Sequence, residues 1–192
     1  MRNKHVYVLL TDTGTLFTRM IKLYTKCPFN HASIAFDNKL EELYSFGRKD
    51  QSNPFVGGFV KENIETELFR RAKCAVYRCS VTEFEYHLLR RNIQKYERSE
   101  RDYKYNLLGL FGILFNIEIN RKNAFFCSQF VATLLDENGL SVVDKPLTLV
   151  TPNDFKVACQ LSLVYEGELR IYPSVRSDKE ERRILTPLVS SR

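Results

Sequence analysis

Apolar residues recur along this chain with two periods, and each period predicts its own kind of element. Strands are predicted where apolar residues alternate with polar ones or run on for a few positions. Segments of this kind lie at residues 5–11, 31–37, 40–46, 60–65 and 72–79. The turn signal Asp37-Asn38-Lys39 joins the second of these segments to the third, so the two are predicted to form a hairpin.

Helical spacing of apolar residues predicts most of the other elements. A short amphipathic helix is expected over residues 15–25. A longer helix is expected over 83–98, because Thr82 and Glu85 have the spacing of a capping box. Residues 103–115 are almost entirely apolar, which predicts a buried helix, or a pair of helical turns, that lines the core beside the later helix.

The composition favours one domain. A chain of 192 residues with 44% hydrophobic content can bury one good core and is short for two. We expect a single domain over residues 1–175 and a charged C-terminal tail over 176–192. The net charge of +6 comes from basic residues scattered among acidic ones. This pattern does not indicate nucleic acid, and no nucleic-acid partner is expected.

The cysteines and histidines suggest neither a disulfide framework nor a metal site. The five cysteines contain no CxxC pair, and the three histidines are spread along the chain, so no metal or cofactor is expected. The N-terminal segment has too few apolar residues for a signal peptide. No stretch reaches the roughly 18 apolar residues that cross a bilayer, so no transmembrane segment and a cytoplasmic location are expected. The oligomeric state is left open.

Cys127 is the first candidate for chemistry, because it stands where an apolar approach turns into a helix. Apolar residues follow it at helical spacing, and Asn138-Gly139 supplies the stop. The free N–H groups and the positive dipole end of the first helical turn stabilise a thiolate. Cys127 is therefore a candidate nucleophile. The alternative is a buried cysteine that packs as a small hydrophobe.

His31 is the second candidate, as the first residue of a predicted strand. The two-residue period of a strand places His31, Ser33 and Ala35 on one face. The small residues leave room beside the imidazole for a helix or a substrate. The alternative is a structural histidine that caps the strand.

Four short motifs together carry a resemblance to a known group of enzymes. They are NHASIAFD at 30–37, LYSFG at 43–47, FFCSQFVA at 125–132 and VTPNDF at 150–155. In this combination, with the histidine strand before the cysteine helix, the chain resembles the circularly permuted papain-like cysteine hydrolases. That group includes NlpC cell-wall peptidases, YiiX-like proteins and lecithin:retinol acyltransferase, and the likeness spans roughly residues 5–156.

The resemblance implies an α+β fold of the permuted papain-like (NlpC-like) type, in which an antiparallel sheet packs against the helix that carries the cysteine. It implies Cys127 as the nucleophile and His31 as the base that takes its proton. The oxyanion of the reaction would be held by the backbone N–H groups of Cys127 and Ser128.

A third polar residue that orients the imidazole is expected on the strand after the histidine strand. The candidates there are Glu41, Glu42, Tyr44 and Ser45. Glu42 is favoured, since a carboxylate both orients and stabilises an imidazolium. Hairpin register decides among the four, because a slip of one residue moves every side chain to the other face.

Two classes of function follow from these residues. The first is a thiol hydrolase that cleaves an amide, peptide or acyl bond, or a related lipid acyltransferase, with a peptide, amide or acyl-lipid substrate and no cofactor. The second is a binding or regulatory domain that keeps the same fold without turnover.

Overall fold

The five predicted strands and a sixth, later strand form one sheet in the computed structural model, which describes residues 3–12, 28–49 and 57–173. The strands are β1 (Lys4–Asp12), β2 (His31–Ala35), β3 (Leu43–Arg48), β4 (Gly57–Glu62), β5 (Lys73–Val81), β6 (Lys104–Tyr105), β7 (Ala124–Phe125) and β8 (Leu161–Glu168). The order across the sheet is β4-β3-β2-β1-β5-β8, and each neighbouring pair is antiparallel. β6 and β7 form a separate parallel pair.

The described residues also form four α-helices. These are α1 (Glu67–Arg70), α2 (Glu83–Arg98), α3 (Leu107–Phe115) and α4 (Cys127–Asp136). Short 3-10 helices lie at Glu100–Asp102, Leu147–Leu149, Pro152–Lys156 and Leu169–Ile171. α2 begins with the predicted capping box, in which the N–H of Glu85 donates to Oγ1 of Thr82 at 3.2 Å and the N–H of Thr82 donates back to Glu85 at 2.6 Å. The expected α+β class is confirmed.

Most predicted boundaries agree with the observed elements. Two predicted strands are displaced: the segment predicted at 40–46 is β3 at Leu43–Arg48, and the segment predicted at 60–65 is β4 at Gly57–Glu62. The helix predicted over 15–25 and the tail over 176–192 lie outside the described residues.

The sheet carries an apolar cluster on each face. On one face, alternate strand residues such as Ala32 and Ile34 pack against α2 and α4. On the other face, a smaller cluster that includes Leu9, Ala35 and Leu43 is covered by Phe69 of α1. The alternation along β2 therefore places residues 32 and 34 towards the cysteine helix and residues 33 and 35 on the opposite face. His31 stands at the start of the strand, where β3 does not pair with β2, and from there it reaches Cys127 at the start of α4.

A group of aromatic rings fixes the position of β3 and β4 against α4. The ring centroid of Phe46 in β3 lies 4.9 Å from that of Phe130 in α4, and the centroid of Phe59 in β4 lies 5.8 Å from it. Tyr96 of α2 stacks on Phe59 at 5.8 Å. Such pairs contribute about 0.5–1.5 kcal/mol each beyond the burial of their surface. The position of β4 matters because its last residue takes part in the site described below.

Helix α3 differs from its prediction. The segment is helical, but it does not line the core, since its buried residues are the two glycines. A Cβ on Gly109 would lie 2.5 Å from the side-chain nitrogen of Asn106, and a Cβ on Gly112 would lie 2.5 Å from the carbonyl oxygen of Ile117. Only glycine permits this close approach, so the glycine face is the buried one and the large side chains project. No helix among the described residues has the length and apolarity to cross a bilayer.

Candidate active site

Helix α4 presents Cys127 at its first position. Phe126 precedes it in an extended conformation, and no side chain caps the start of the helix. Oγ of Ser128 donates a hydrogen bond of 2.7 Å to the carbonyl oxygen of Val150, which anchors the first turn. Cys127 is only 5% exposed. Its sulfur therefore lies beneath the surface, beside N–H groups that favour a negative charge.

The beginning of β2 meets this cysteine. β2 is paired with β1 along its whole length but with β3 only at Ile34 and Ala35. The first residues of β2 therefore keep backbone groups that β3 does not use. The N–H of Ala32 is one of them, and it donates to the sulfur of Cys127 together with the N–H of Ser128.

The imidazole of His31 is held by a carboxylate from β4. Nε2 of His31 lies 2.7 Å from Oε1 of Glu62, and the two side chains are 14% and 9% exposed. With Nε2 engaged, Nδ1 is the ring nitrogen that remains for the hydrogen bond between His31 and Cys127. The three side chains thus form one hydrogen-bonded chain, which we call the Cys127–His31–Glu62 network.

Two serines complete the surroundings of Glu62. Oγ of Ser45 donates to Oε1 of Glu62 at 2.8 Å, and Oγ of Ser33 donates to Oε2 at 2.5 Å. Both serines are fully buried. They lie on the same face of the sheet as His31, and their small size lets the glutamate side chain reach across β3. Both carboxylate oxygens are therefore occupied, as a buried charge requires.

The pKa values of the network are shifted towards the charged forms. Burial lowers the pKa of His31, but the charges of Glu62 and Cys127 and their hydrogen bonds raise it well above the ordinary 6.5. Burial raises the pKa of Cys127, but the charge and hydrogen bond of His31 bring it below the ordinary 9.0. Burial also raises the pKa of Glu62, but His31 and the two serines bring it below 4.5. The arrangement favours a thiolate, an imidazolium and a carboxylate.

The favoured third residue, Glu42, lies elsewhere, and this expectation is corrected. The carboxylate of Glu42 pairs with Arg90 of α2. The N–H of Phe36 donates to the carbonyl oxygen of Glu42, so these two residues oppose each other across the hairpin. Phe36 belongs to the face that packs against α2 and α4. Glu42 therefore projects from the face opposite His31, which is the physical reason that it cannot orient the imidazole.

None of the other three candidates, all of which the structure describes, forms a hydrogen bond with His31, and their places differ. Glu41 is exposed in the turn, where its N–H donates to Oδ1 of Asp37. Tyr44 is buried in the core and stacks on Phe59. Ser45 faces the correct side and supports His31 indirectly, through its hydrogen bond to Glu62.

Glu62 is not among the residues predicted from the sequence, because the third residue is expected on the strand directly after the histidine strand. Glu62 lies 31 positions after His31 and two strands away in the sheet. One signal in the sequence does point to it. Ser33 and Ser45 leave space on the histidine face, and Glu62 is an acidic residue at the end of an otherwise mostly apolar segment. A sheet order of β4-β3-β2 was needed to connect these facts.

No model of a known protein family, no curated protein and no solved structure matches this chain. The described residues contain no group of three or more His, Cys, Asp or Glu side chains that is arranged to hold a metal ion. The chemistry that this site can perform follows from its own groups. They are a buried thiol with a lowered pKa, an imidazole that carries a proton, and a carboxylate that holds the imidazole in place.

Proposed function

We propose that this protein is a thiol hydrolase of the permuted papain-like type, which cleaves an amide, peptide or acyl bond through Cys127 and His31. The observation that carries the proposal is the Cys127–His31–Glu62 network, with its short hydrogen bond of 2.7 Å between imidazole and carboxylate. A nucleophile, a base and a residue that orients the base are the three parts that such a reaction needs.

The reaction runs in two halves. In the first, the Cys127 thiolate attacks the carbonyl carbon, and the N–H groups of Cys127 and Ser128 at the start of α4 stabilise the oxyanion. The imidazolium of His31 then gives its proton to the leaving nitrogen or oxygen, and a thioester remains on Cys127. In the second half, neutral His31 takes a proton from water, the hydroxide attacks the thioester, and the acid leaves as the thiolate is restored. Glu62 keeps the imidazole oriented throughout and stabilises it whenever it carries the proton.

The order of the elements supports the assignment to the permuted type. The strand that carries His31 precedes the helix that carries Cys127, and the antiparallel sheet packs against that helix. The orienting carboxylate comes from β4, the second strand after β2, rather than from the strand that follows it directly. In the proposed enzyme, the residue that orients the base therefore lies two strands away from it in the sheet.

One observation favours a second candidate. The residue Cys127 is only 5% exposed, so a substrate must reach a sulfur that is largely covered. A binding or regulatory domain that keeps the network without turnover is consistent with this burial. A third version of the same chemistry, in which an acceptor other than water takes the acyl group, would make the protein an acyltransferase.

The test is the pH dependence of alkylation by iodoacetamide, followed at each cysteine by peptide mass spectrometry. The Cys127→Ser variant is the blank, and Cys159, which is exposed and outside the network, is the internal comparison. We expect Cys127 to react readily at pH values below the usual thiol pKa of about 8.5, where Cys159 reacts slowly. We expect His31→Ala to abolish this reactivity. An unchanged profile in His31→Ala would overturn the proposal.

A second measurement separates the hydrolase from the binding domain. A p-nitrophenyl ester supplies an acyl group and releases a coloured product when the thiolate attacks. A stoichiometric burst followed by steady release indicates turnover. A burst without steady release, or no burst from a reactive Cys127, favours the domain without turnover.

A further inference from the structure

Helix α3 exposes several large apolar side chains, although its composition is that of a buried helix. All nine of its residues are apolar or glycine, yet only Gly109 and Gly112 are buried. The exposed large side chains of this segment form what we call the α3 patch: Leu108, Phe111, Phe115 and Ile117. Phe115 is 71% exposed. Contiguous apolar surface of this kind is rare on proteins that have no use for it and marks a site of interaction.

Basic residues lie on both flanks of α3. Residues 101–104 before the helix and 118–122 after it contain four basic side chains, Arg101, Lys104, Arg121 and Lys122, against the two acidic ones Asp102 and Glu118. All of these side chains are exposed. In the part of the chain that the structure describes, none of the four basic residues forms an ion pair.

The two flanks come together at one end of the helix. The N–H of Lys104 donates to the carbonyl oxygen of Asn123 at 2.9 Å, and β6 pairs with β7. The carbonyl oxygen of Arg121 accepts from the N–H of Ala124, which closes the turn. Lys104, Arg121 and Lys122 are thereby brought together before the first turn of α3. We call Lys104, Arg121 and Lys122 the basic cluster.

We propose that the α3 patch docks on the surface of an anionic lipid bilayer, with the basic cluster on the phosphate headgroups and the apolar side chains among the upper acyl chains. A projecting apolar helix with cationic residues at its end has the chemistry of an element that lies in a membrane interface. The charge of the cluster selects anionic lipid over neutral lipid.

A bilayer fits this surface better than a protein groove does. The exposed large side chains Leu108, Phe111 and Phe115 recur at i, i+3 and i+7 and so form one apolar stripe, and the basic cluster at its end complements the phosphates of a bilayer. A fluid lipid surface accommodates such a shape without a matching cavity. A second copy of the chain would bring another basic cluster to the same interface, which like-charge repulsion opposes.

Docking in this way would bring the candidate active site to the membrane surface. The N–H of Asn106 donates to the carbonyl oxygen of Phe125 at 2.8 Å, and Gly109 lies against the ring of Phe126. Phe126 directly precedes Cys127. The docking surface and the start of α4 are therefore packed together, although the lipid contact itself needs none of the groups in the network.

The test is sedimentation of the full chain with vesicles. One set contains phosphatidylcholine alone, and the other contains phosphatidylcholine with about one-third phosphatidylglycerol. We expect binding to the anionic vesicles, weaker binding at high salt and little binding to the neutral ones. The double substitution Phe111→Ser with Phe115→Ser should weaken binding by about tenfold or more, because these two rings enter the acyl region. Charge reversal by Lys104→Glu with Lys122→Glu should do the same.

Phe84→Ser is the matched control. Phe84 is 72% exposed, close to the 71% of Phe115, but lies on α2. We expect it to bind like wild type. The Cys127→Ser variant should also bind like wild type, so a failure of docking and a failure of the thiol chemistry can be told apart. Absence of binding to anionic vesicles at low salt would overturn the proposal. So would a dimer in solution that the Phe111→Ser and Phe115→Ser substitutions dissociate, because the patch would then belong to a second copy.

Discussion

Glu42 and Glu62 carry the same carboxylate and lie close together in the sheet, yet their surroundings differ in almost every respect. Leu43, the residue after Glu42, is directly opposite Glu62 in the pairing of β3 with β4. The side chain of Glu62 is 9% exposed and is bonded to His31 and two serines. The side chain of Glu42 is 36% exposed and pairs with Arg90. Glu42 is thus only one position away from the residue that pairs with Glu62, yet one glutamate belongs to a buried charge network and the other to a surface ion pair.

The difference shows how burial decides the value of a charge. A surface ion pair is screened by water and contributes about 0–1 kcal/mol. A buried carboxylate must be satisfied by hydrogen bonds and an opposite charge, and removal of one partner of such a pair costs roughly 3–5 kcal/mol. The same cost makes the buried carboxylate a strong influence on the pKa values of its neighbours.

The largest expected effect is that of Glu62→Gln, which keeps the size of the side chain and removes its charge. Without the carboxylate, the pKa of His31 falls and the imidazolium no longer stabilises the thiolate. We expect the alkylation rate of Cys127 near pH 6 to drop by about tenfold or more, because each pKa unit changes the thiolate fraction tenfold. The rate is measured by peptide mass spectrometry. Wild-type reactivity of Cys127 in Glu62→Gln would contradict the network.

The same variant should lose stability in a defined pH window. The lowered pKa of Glu62 gives stability that is complete above pH 4.5 and is lost as pH falls through the folded pKa. The raised pKa of His31 gives stability that is complete below pH 6.5 and is lost as pH rises through the folded pKa. Urea unfolding should therefore show the largest deficit, roughly 3 kcal/mol, between these limits. A deficit that does not change with pH would indicate lost packing instead.

An intermediate effect is expected for Ser45→Ala. The substitution removes one hydrogen bond from Oε1 of Glu62, while His31 and Ser33 still hold the carboxylate. We expect a loss of about 1–2 kcal/mol in unfolding free energy and a change in Cys127 alkylation smaller than tenfold. Ser33→Ala, which acts on the other oxygen, is the natural comparison. An effect of Ser45→Ala as large as that of Glu62→Gln would mean that the serine has a further role.

The smallest effect is expected for Glu42→Gln. It breaks a partly exposed pair with Arg90 on the face opposite His31. The pH profile of Cys127 alkylation should match that of wild type, and stability should change by less than about 1 kcal/mol. Both quantities are measured beside Glu62→Gln, so the two glutamates are compared under one set of conditions. A lowered reactivity of Cys127 in Glu42→Gln would show that the two carboxylates are coupled.

Local features of the site could be predicted from the sequence, but the contacts between its residues could not. The helix start at Cys127, the strand start at His31 and the small residues on the histidine face follow from periodicities of a few positions. The prediction of Glu42 was wrong because it depends on the register of β3 against β2, which the local sequence does not specify. Ser45 lies on the same face as His31, but Glu62, to which it donates, is not among the residues predicted from the sequence.

Helix α3 teaches the same lesson about burial. Its sequence is apolar on every side, so composition alone predicts a place in the core. The structure buries the glycine stripe instead, because Gly109 and Gly112 permit a close approach that larger residues would block. Which face of an apolar helix is covered depends on what packs against it.

The sequence by itself determined which segments form most of the helices and strands, where the thiol sits in its helix and that the histidine heads a strand. These features depend on steric and hydrogen-bonding preferences among residues a few positions apart. Only the tertiary structure decided that Glu62 supports His31 and that α3 projects. Both outcomes depend on the order and register of strands and on the packing of surfaces far apart in the chain, which local preferences do not encode.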